Sequence, residues 1–87
     1  MLIRSQDRTK LVDIAGKTIS IDRANAIGIM YANSSVLLGK YTSKENAMKV
    51  LDMIQETYKQ EKTEIIYREG IYDIGTFQMP EDSEVVV

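Results

Sequence analysis

The sequence predicts an α+β domain, an antiparallel β-sheet of five to seven strands with one amphipathic α-helix packed on one face. Three observations predict it. Apolar residues recur at helical spacing from Lys44 to about Gln60, and the segments on either side read as short β-type runs broken by turn residues. The chain has 87 residues, room for a single domain spanning 1–87.

The elements follow in order. Leu2-Ile3-Arg4 is a short apolar start, Gln6-Asp7-Arg8 a turn, and Lys10 to Ile14 resumes β-type residues. Ala15-Gly16-Lys17 is a second turn, with Gly16 free to take a positive φ. Thr18-Ile19-Ser20-Ile21 alternates strictly, as a half-buried strand does. Ala26 to Ala32 and Val36 to Tyr41 form a hairpin around Asn33-Ser34-Ser35.

The helix is expected over about 43–60. Thr42 can cap it with Glu45 closing a capping box, and Ser43 is a competing cap. Ala47, Val50, Leu51, Ile54 and Tyr58 form one stripe, with Glu45, Lys49, Asp52, Glu56 and Lys59 opposite. After a polar exit at Gln60-Glu61-Lys62, Thr63 to Arg68 and Ile71 to Phe77 read as two more strands joined around Glu69-Gly70. Pro80 ends that region. Glu81-Asp82-Ser83-Glu84 reads as a solvated acidic segment, and Val85-Val86-Val87 as a possible edge strand, in its own subunit or a neighbour's.

Neither face of the main hairpin is polar. Ile27, Ile29 and Tyr31 alternate with Ala26, Gly28 and Met30, while Val36 and Leu38 alternate with Leu37, Gly39 and Tyr41. One helix covers one face. The other must meet the C-terminal strands folding back, a second subunit or a ligand. Met30, Leu37, Val85 and Val86 are the expected interface residues.

Composition sharpens the case for assembly. A domain this small buries too little surface for a generous margin of stability and usually carries a staple. The chain contains no cysteine and no histidine, so disulfides and zinc sites built on Cys or His are excluded. Self-association is the remaining common device, and a homo-oligomer is expected. Eleven basic against thirteen acidic residues give a net charge of −2, too balanced for a DNA or RNA binder. No run of ~18 apolar residues predicts a membrane span. Nor does Met1-Leu2-Ile3-Arg4-Ser5 read as a signal peptide, which makes the cytoplasm the expected location.

Enzyme chemistry is hard to build from these residues. Triads of the Ser-His or Cys-His kind are impossible, and no serine sits in a recognisable nucleophile turn. The glycines at 16, 28, 39, 70 and 75 match neither a Rossmann fingerprint nor a P-loop, so no cofactor is expected. The basic residues are more informative. Arg4, Arg8 and Lys10 cluster in the first hairpin, with Tyr31, Tyr41 and Tyr72 in expected strands. Arginine beside aromatic rings can hold a phosphate and stack a base, although the same residues are ordinary in a small β-rich domain.

Leu38-Gly39-Lys40-Tyr41-Thr42-Ser43-Lys44-Glu45, running into Ala47-Met48-Lys49-Val50-Leu51-Asp52-Met53-Ile54, resembles a family of short phage and prophage proteins of Gram-positive bacteria. The opening Met1-Leu2-Ile3-Arg4-Ser5-Gln6-Asp7 and the closing Phe77-Gln78-Met79-Pro80-Glu81-Asp82 share the likeness, and Thr63 to Thr76 is longer than the spacer usual there. The resemblance carries no biochemical activity and no functional residues. It implies a mobile-element gene expressed in the host bacterial cytoplasm.

By analogy of size and context, small phage proteins are often counter-defence factors, several of them α+β oligomers that sequester nucleotide signals. The expected function is therefore an oligomeric, non-enzymatic sponge for a small nucleotide immune signal of the cyclic ADP-ribose or cyclic dinucleotide type. Arg4, Arg8 or Lys10 would meet phosphate, and Tyr31, Tyr41 or Tyr72 would stack on a base. The alternative is an interaction inhibitor that docks on a host defence protein through its acidic C-terminal strand.

Overall fold

The computed structural model describes residues 1–30, 33–67 and 76–87, with 61–67 described by backbone alone. In chain order the elements are β1 (Leu2–Arg4), β2 (Leu11–Asp13), β3 (Thr18–Ile21), β4 (Ala26–Met30), β5 (Ser35–Lys40), α1 (Lys44–Tyr67) and β6 (Thr76–Gln78). A single 3₁₀ turn, Asp82–Glu84, follows. The α+β class stands, but the strands divide between two three-stranded sheets, ordered β2-β1-β6 and β3-β4-β5. The second is an antiparallel meander. The first is mixed, because β6 returns to lie parallel to β1 with Ile3 opposite Phe77.

Local chemistry explains the turns. In the β3–β4 hairpin, Asp22 Oδ1 accepts the N–H groups of Ala24 at 2.8 Å and Ala26 at 3.0 Å. Asn25 sits at φ 60°, the left-handed residue that closes a three-residue loop, and asparagine tolerates that conformation well. Gly16 takes the expected positive φ, 69°.

Helix α1 begins at Ser43, whose hydroxyl accepts the Asn46 N–H at 3.0 Å. Ser43 is therefore the cap, and Thr42 stands one residue outside it. The expected stripe faces the core, with Ala47, Val50 and Ile54 buried and Leu51 and Tyr58 half-buried. The helix does not stop at Gln60. It runs to Tyr67 and replaces the strand expected from Thr63, because a helix already under way gains one backbone hydrogen bond for each further residue it fixes, whereas a strand there needs a separate pairing. The turn at Glu69-Gly70, Arg68 and residues 71–75 of the last expected strand lie outside the described residues.

One core serves both sheets and the helix. Ile3 of β1, Ile27 and Ile29 of β4, Leu38 of β5, Met79 after β6, and Ala47, Val50 and Ile54 of α1 form a continuous buried cluster. Gln6 ties the sheets together at the β5 edge. Its N–H donates to Leu38 O at 2.7 Å, its Oε1 accepts from Lys40 N at 2.9 Å, and its Nε2 donates to Lys40 O at 3.1 Å.

Candidate binding surface

The hairpin joining β1 to β2 is organised by two short side chains. Ser5 is 1 % exposed, and its hydroxyl accepts from Lys10 N at 3.0 Å while donating to Asp7 Oδ1 at 2.7 Å. The same oxygen accepts from Thr9 N at 3.0 Å and Thr9 Oγ1 at 2.7 Å. The Ser5 hydroxyl first, and then the Thr9 backbone and hydroxyl, hold the Asp7 carboxyl far below the usual aspartate range, since each bond favours the ionised form. On this frame stand the three expected cations. Arg4, Arg8 and Lys10 are all exposed, with Arg8 at φ 67°. Arg4 Nη1 donates to Arg8 O at 3.3 Å, and Lys10 Nζ lies 3.9 Å from Asp7 Oδ2, a surface pair worth little in water.

The outer face of β3-β4-β5 is the second feature. Met30 is 52 % and Leu37 45 % exposed, and no described residue covers them. Between them the surface dips at Gly28, which pairs with Leu37; a Cβ on Gly28 would stand 3.1 Å from Val36 O. The resulting concavity, about 260 Å³, is lined by Ser20, Asp22, Gly28, Met30, Ser35 and Leu37, among others. A smaller one of about 120 Å³ also borders Leu37, lined with it by Gln6, Asp7, Leu38, Gly39 and Lys40. Leu37 thus borders both the apolar patch and the root of the basic hairpin.

Tyr41 is placed elsewhere than expected. Strict alternation puts it with Leu37, but a bulge in β5 sets Gly28 opposite Leu37 and Ile27 opposite Gly39, leaving Leu38 as the extra residue. Parity flips after the bulge, so Tyr41 turns inward and is 5 % exposed, its hydroxyl donating to Pro80 O at 2.9 Å. Burial first, and then the carboxylates of Glu81, Asp82 and Glu84, push its phenol well above the ordinary tyrosine value. It offers no ring face to a base. Tyr31 and Tyr72 lie outside the described residues.

The C-terminal segment is docked, in contrast to the solvated segment expected. Asp82 accepts from Thr42 N at 2.9 Å, from Thr42 Oγ1 at 2.9 Å and from Asn46 Nδ2 at 3.1 Å. The Thr42 backbone bond, then the Asn46 amide, lower its carboxyl below the ordinary range. Val85 packs against the core, while Val86 is 81 % exposed; residues 85–87 form no strand within this chain. Gln6, Ser5 and Asp82 are the organising residues that sequence reasoning missed. Their only signal was polar side chains beside expected turns, which any surface loop shares.

Among the described residues, no group of three or more carboxylates is placed to hold a metal ion, and no helix is long and apolar enough to cross a membrane. Comparison with family models, with curated proteins and with solved structures finds no match to this chain.

Proposed function

We propose that this chain is a phage-encoded, non-enzymatic counter-defence protein that self-associates and sequesters a small nucleotide-type immune signal. The observation that carries the reading is the position of Leu37, shared between the exposed Met30–Leu37 patch and the concavity at the foot of the Arg4–Lys10 hairpin. Closing the patch against a second copy brings that hairpin to the border of the contact. Its cations would then face a partly desolvated cleft, where a guanidinium holds a phosphate far more tightly than in open water. Tyr41 has no part in such a site.

The test is calorimetric titration against cyclic ADP-ribose-type nucleotides and cyclic dinucleotides. Binding at micromolar or lower concentration is expected, and Arg8→Gly should weaken it by about 2–4 kcal/mol if Arg8 makes a desolvated phosphate contact. No heat with any of them at high micromolar protein sinks the reading.

The exposure of Val86 favours the second reading, a host protein docked at the C-terminal segment. Ending the chain at Pro80 does not separate the two readings, because Asp82 is also a structural contact of α1. Val86→Asp touches the exposed valine alone. It should abolish an interaction of this kind and leave nucleotide binding intact.

A further inference from the structure

Among the described residues, the β3 edge is the least protected boundary of the two sheets, and its hydrogen-bond pattern fits one partner. Asp22 N–H donates to Ala26 O at 2.9 Å, so this pair is hydrogen-bonded in the β3–β4 ladder. Backbone groups in an antiparallel strand alternate in direction. Ser20 and Thr18, opposite Gly28 and Met30, therefore point their N–H and C=O groups at β4, while those of Ile19 and Ile21 point away. No described strand lies on that side.

Edge strands left open in this way pair with other chains unless something blunts them. The β5 edge is blunted by its bulge and by Gln6, which occupies Leu38 O and the Lys40 backbone. Strands β2 and β6 are only three residues long. Strand β3 carries no proline, no charge and no bulge against β4.

The geometry points to a two-fold dimer in which β3 pairs antiparallel with β3 of a second copy, joining the two meanders into one continuous six-stranded sheet. The register follows from which groups face outward. Only residues with outward groups can form hydrogen-bonded pairs, and setting Ile19 opposite Ile21 of the second copy, and Ile21 opposite its Ile19, is the alignment that pairs both isoleucines with isoleucines. That alignment uses all the outward groups of both residues and places Ser20 against Ser20 on the axis, in a non-hydrogen-bonded pair. Sliding by two residues sets Ile19 against Ile19 and leaves Ile21 opposite Lys17, halving the number of isoleucine-to-isoleucine bonds.

Side chains agree with the alignment. Ile19 and Ile21, half-buried at the rim of the core, would continue the apolar row across the joint, and Thr18 would oppose Asp22. Because the axis is perpendicular to the sheet, both Met30–Leu37 patches lie on the same face of the enlarged sheet. The contact needs neither a nucleotide nor the patch itself, so it stands apart from the proposed function.

The chain has no cysteine, which allows a clean experiment. Non-hydrogen-bonded partners have Cα atoms about 4.5 Å apart, within the range a disulfide spans. Ser20 is exposed, and Ser20→Cys should cross-link to a covalent dimer under oxidised glutathione, in the Met30→Glu background as well. Thr18→Cys is the control, its two copies lying about 13 Å apart in this register; it should remain uncross-linked. Amide exchange of the unmodified protein gives a second reading, with Ile19 and Ile21 shifting from free to protected as concentration rises. Ser20→Cys that stays monomeric, Thr18→Cys that cross-links equally, or Ile19 and Ile21 amides that exchange freely at every concentration would each overturn the pairing. Loss of nucleotide binding with the cross-link intact would count against the proposed function alone.

Discussion

At the residue scale, two positions show how much of this surface is fixed by backbone geometry. Arg8 holds φ 67° in a hairpin whose other contacts come from Ser5, Asp7 and Thr9. Left-handed backbone costs an L-residue about 1 kcal/mol, and glycine adopts it freely but loses a similar amount of chain entropy on folding. Arg8→Gly should therefore change stability by less than about 1 kcal/mol in a denaturant titration. That makes it a clean probe of the cation. Gly39 is the opposite case, because a Cβ there would stand 3.2 Å from the Tyr41 hydroxyl and 3.3 Å from Gln6 Cβ. Both neighbours are held, Tyr41 by Pro80 and Gln6 by Lys40, and neither can give way cheaply. Gly39→Ala should cost about 1–2 kcal/mol by the same titration. The sequence could not show this crowding. Leu37 and Leu38 are both apolar, so the pattern gave no sign of the bulge that turns Tyr41 inward.

At the element scale, α1 is held at its start by two separable contacts. Ser43→Ala removes the cap from the Asn46 N–H and should cost about 1 kcal/mol in helix-monitored unfolding. Asp82 acts from outside the helix, on Thr42 and the Asn46 side chain. Its carboxyl is depressed in the folded chain, so folding favours the ionised form. The stabilisation is complete above the ordinary aspartate value of 3.8 and is lost as pH falls through the lower folded value. Asp7, depressed by Ser5 and Thr9, acts in the same direction. Asp82→Asn should lower the unfolding midpoint at neutral pH and flatten its decline in acid, where a midpoint as acid-sensitive as the parent's would disprove the role. The helix itself was legible, because a stripe of apolar residues repeats through four turns. Its C-terminal end was not. Thr63, Ile65 and Ile66 favour strands as strongly as their glutamate and lysine neighbours favour helix, and local propensity does not decide between them.

At the scale of the whole molecule, the chain has neither disulfide nor histidine, and its return strand supplies the closure. Met79 N–H donates to Arg4 O at 3.0 Å, Met79 is buried, and Pro80 O accepts from both Gln6 and Tyr41. The α+β class could be read from periodicity, whereas the parallel pairing of β1 with β6 joins opposite ends of the chain and leaves no local pattern. The unpolar second face of the main hairpin was also legible, and the self-association proposed above would cover it. If a subunit contact hides ~600 Å² of apolar surface around Met30 and Leu37, the transfer free energy is ~15 kcal/mol. Much of it is cancelled by lost rigid-body and side-chain freedom, and a micromolar complex remains within reach. Met30 is half-exposed in the single chain, so a glutamate there disturbs no core contact of the monomer. At a closed contact the same carboxylate is buried without a partner. Met30→Glu should therefore leave the unfolding midpoint of dilute protein unchanged and reduce the oligomer mass by about twofold or more in light scattering at tens of micromolar. A parent chain that scatters as a monomer at that concentration would refute the face contact.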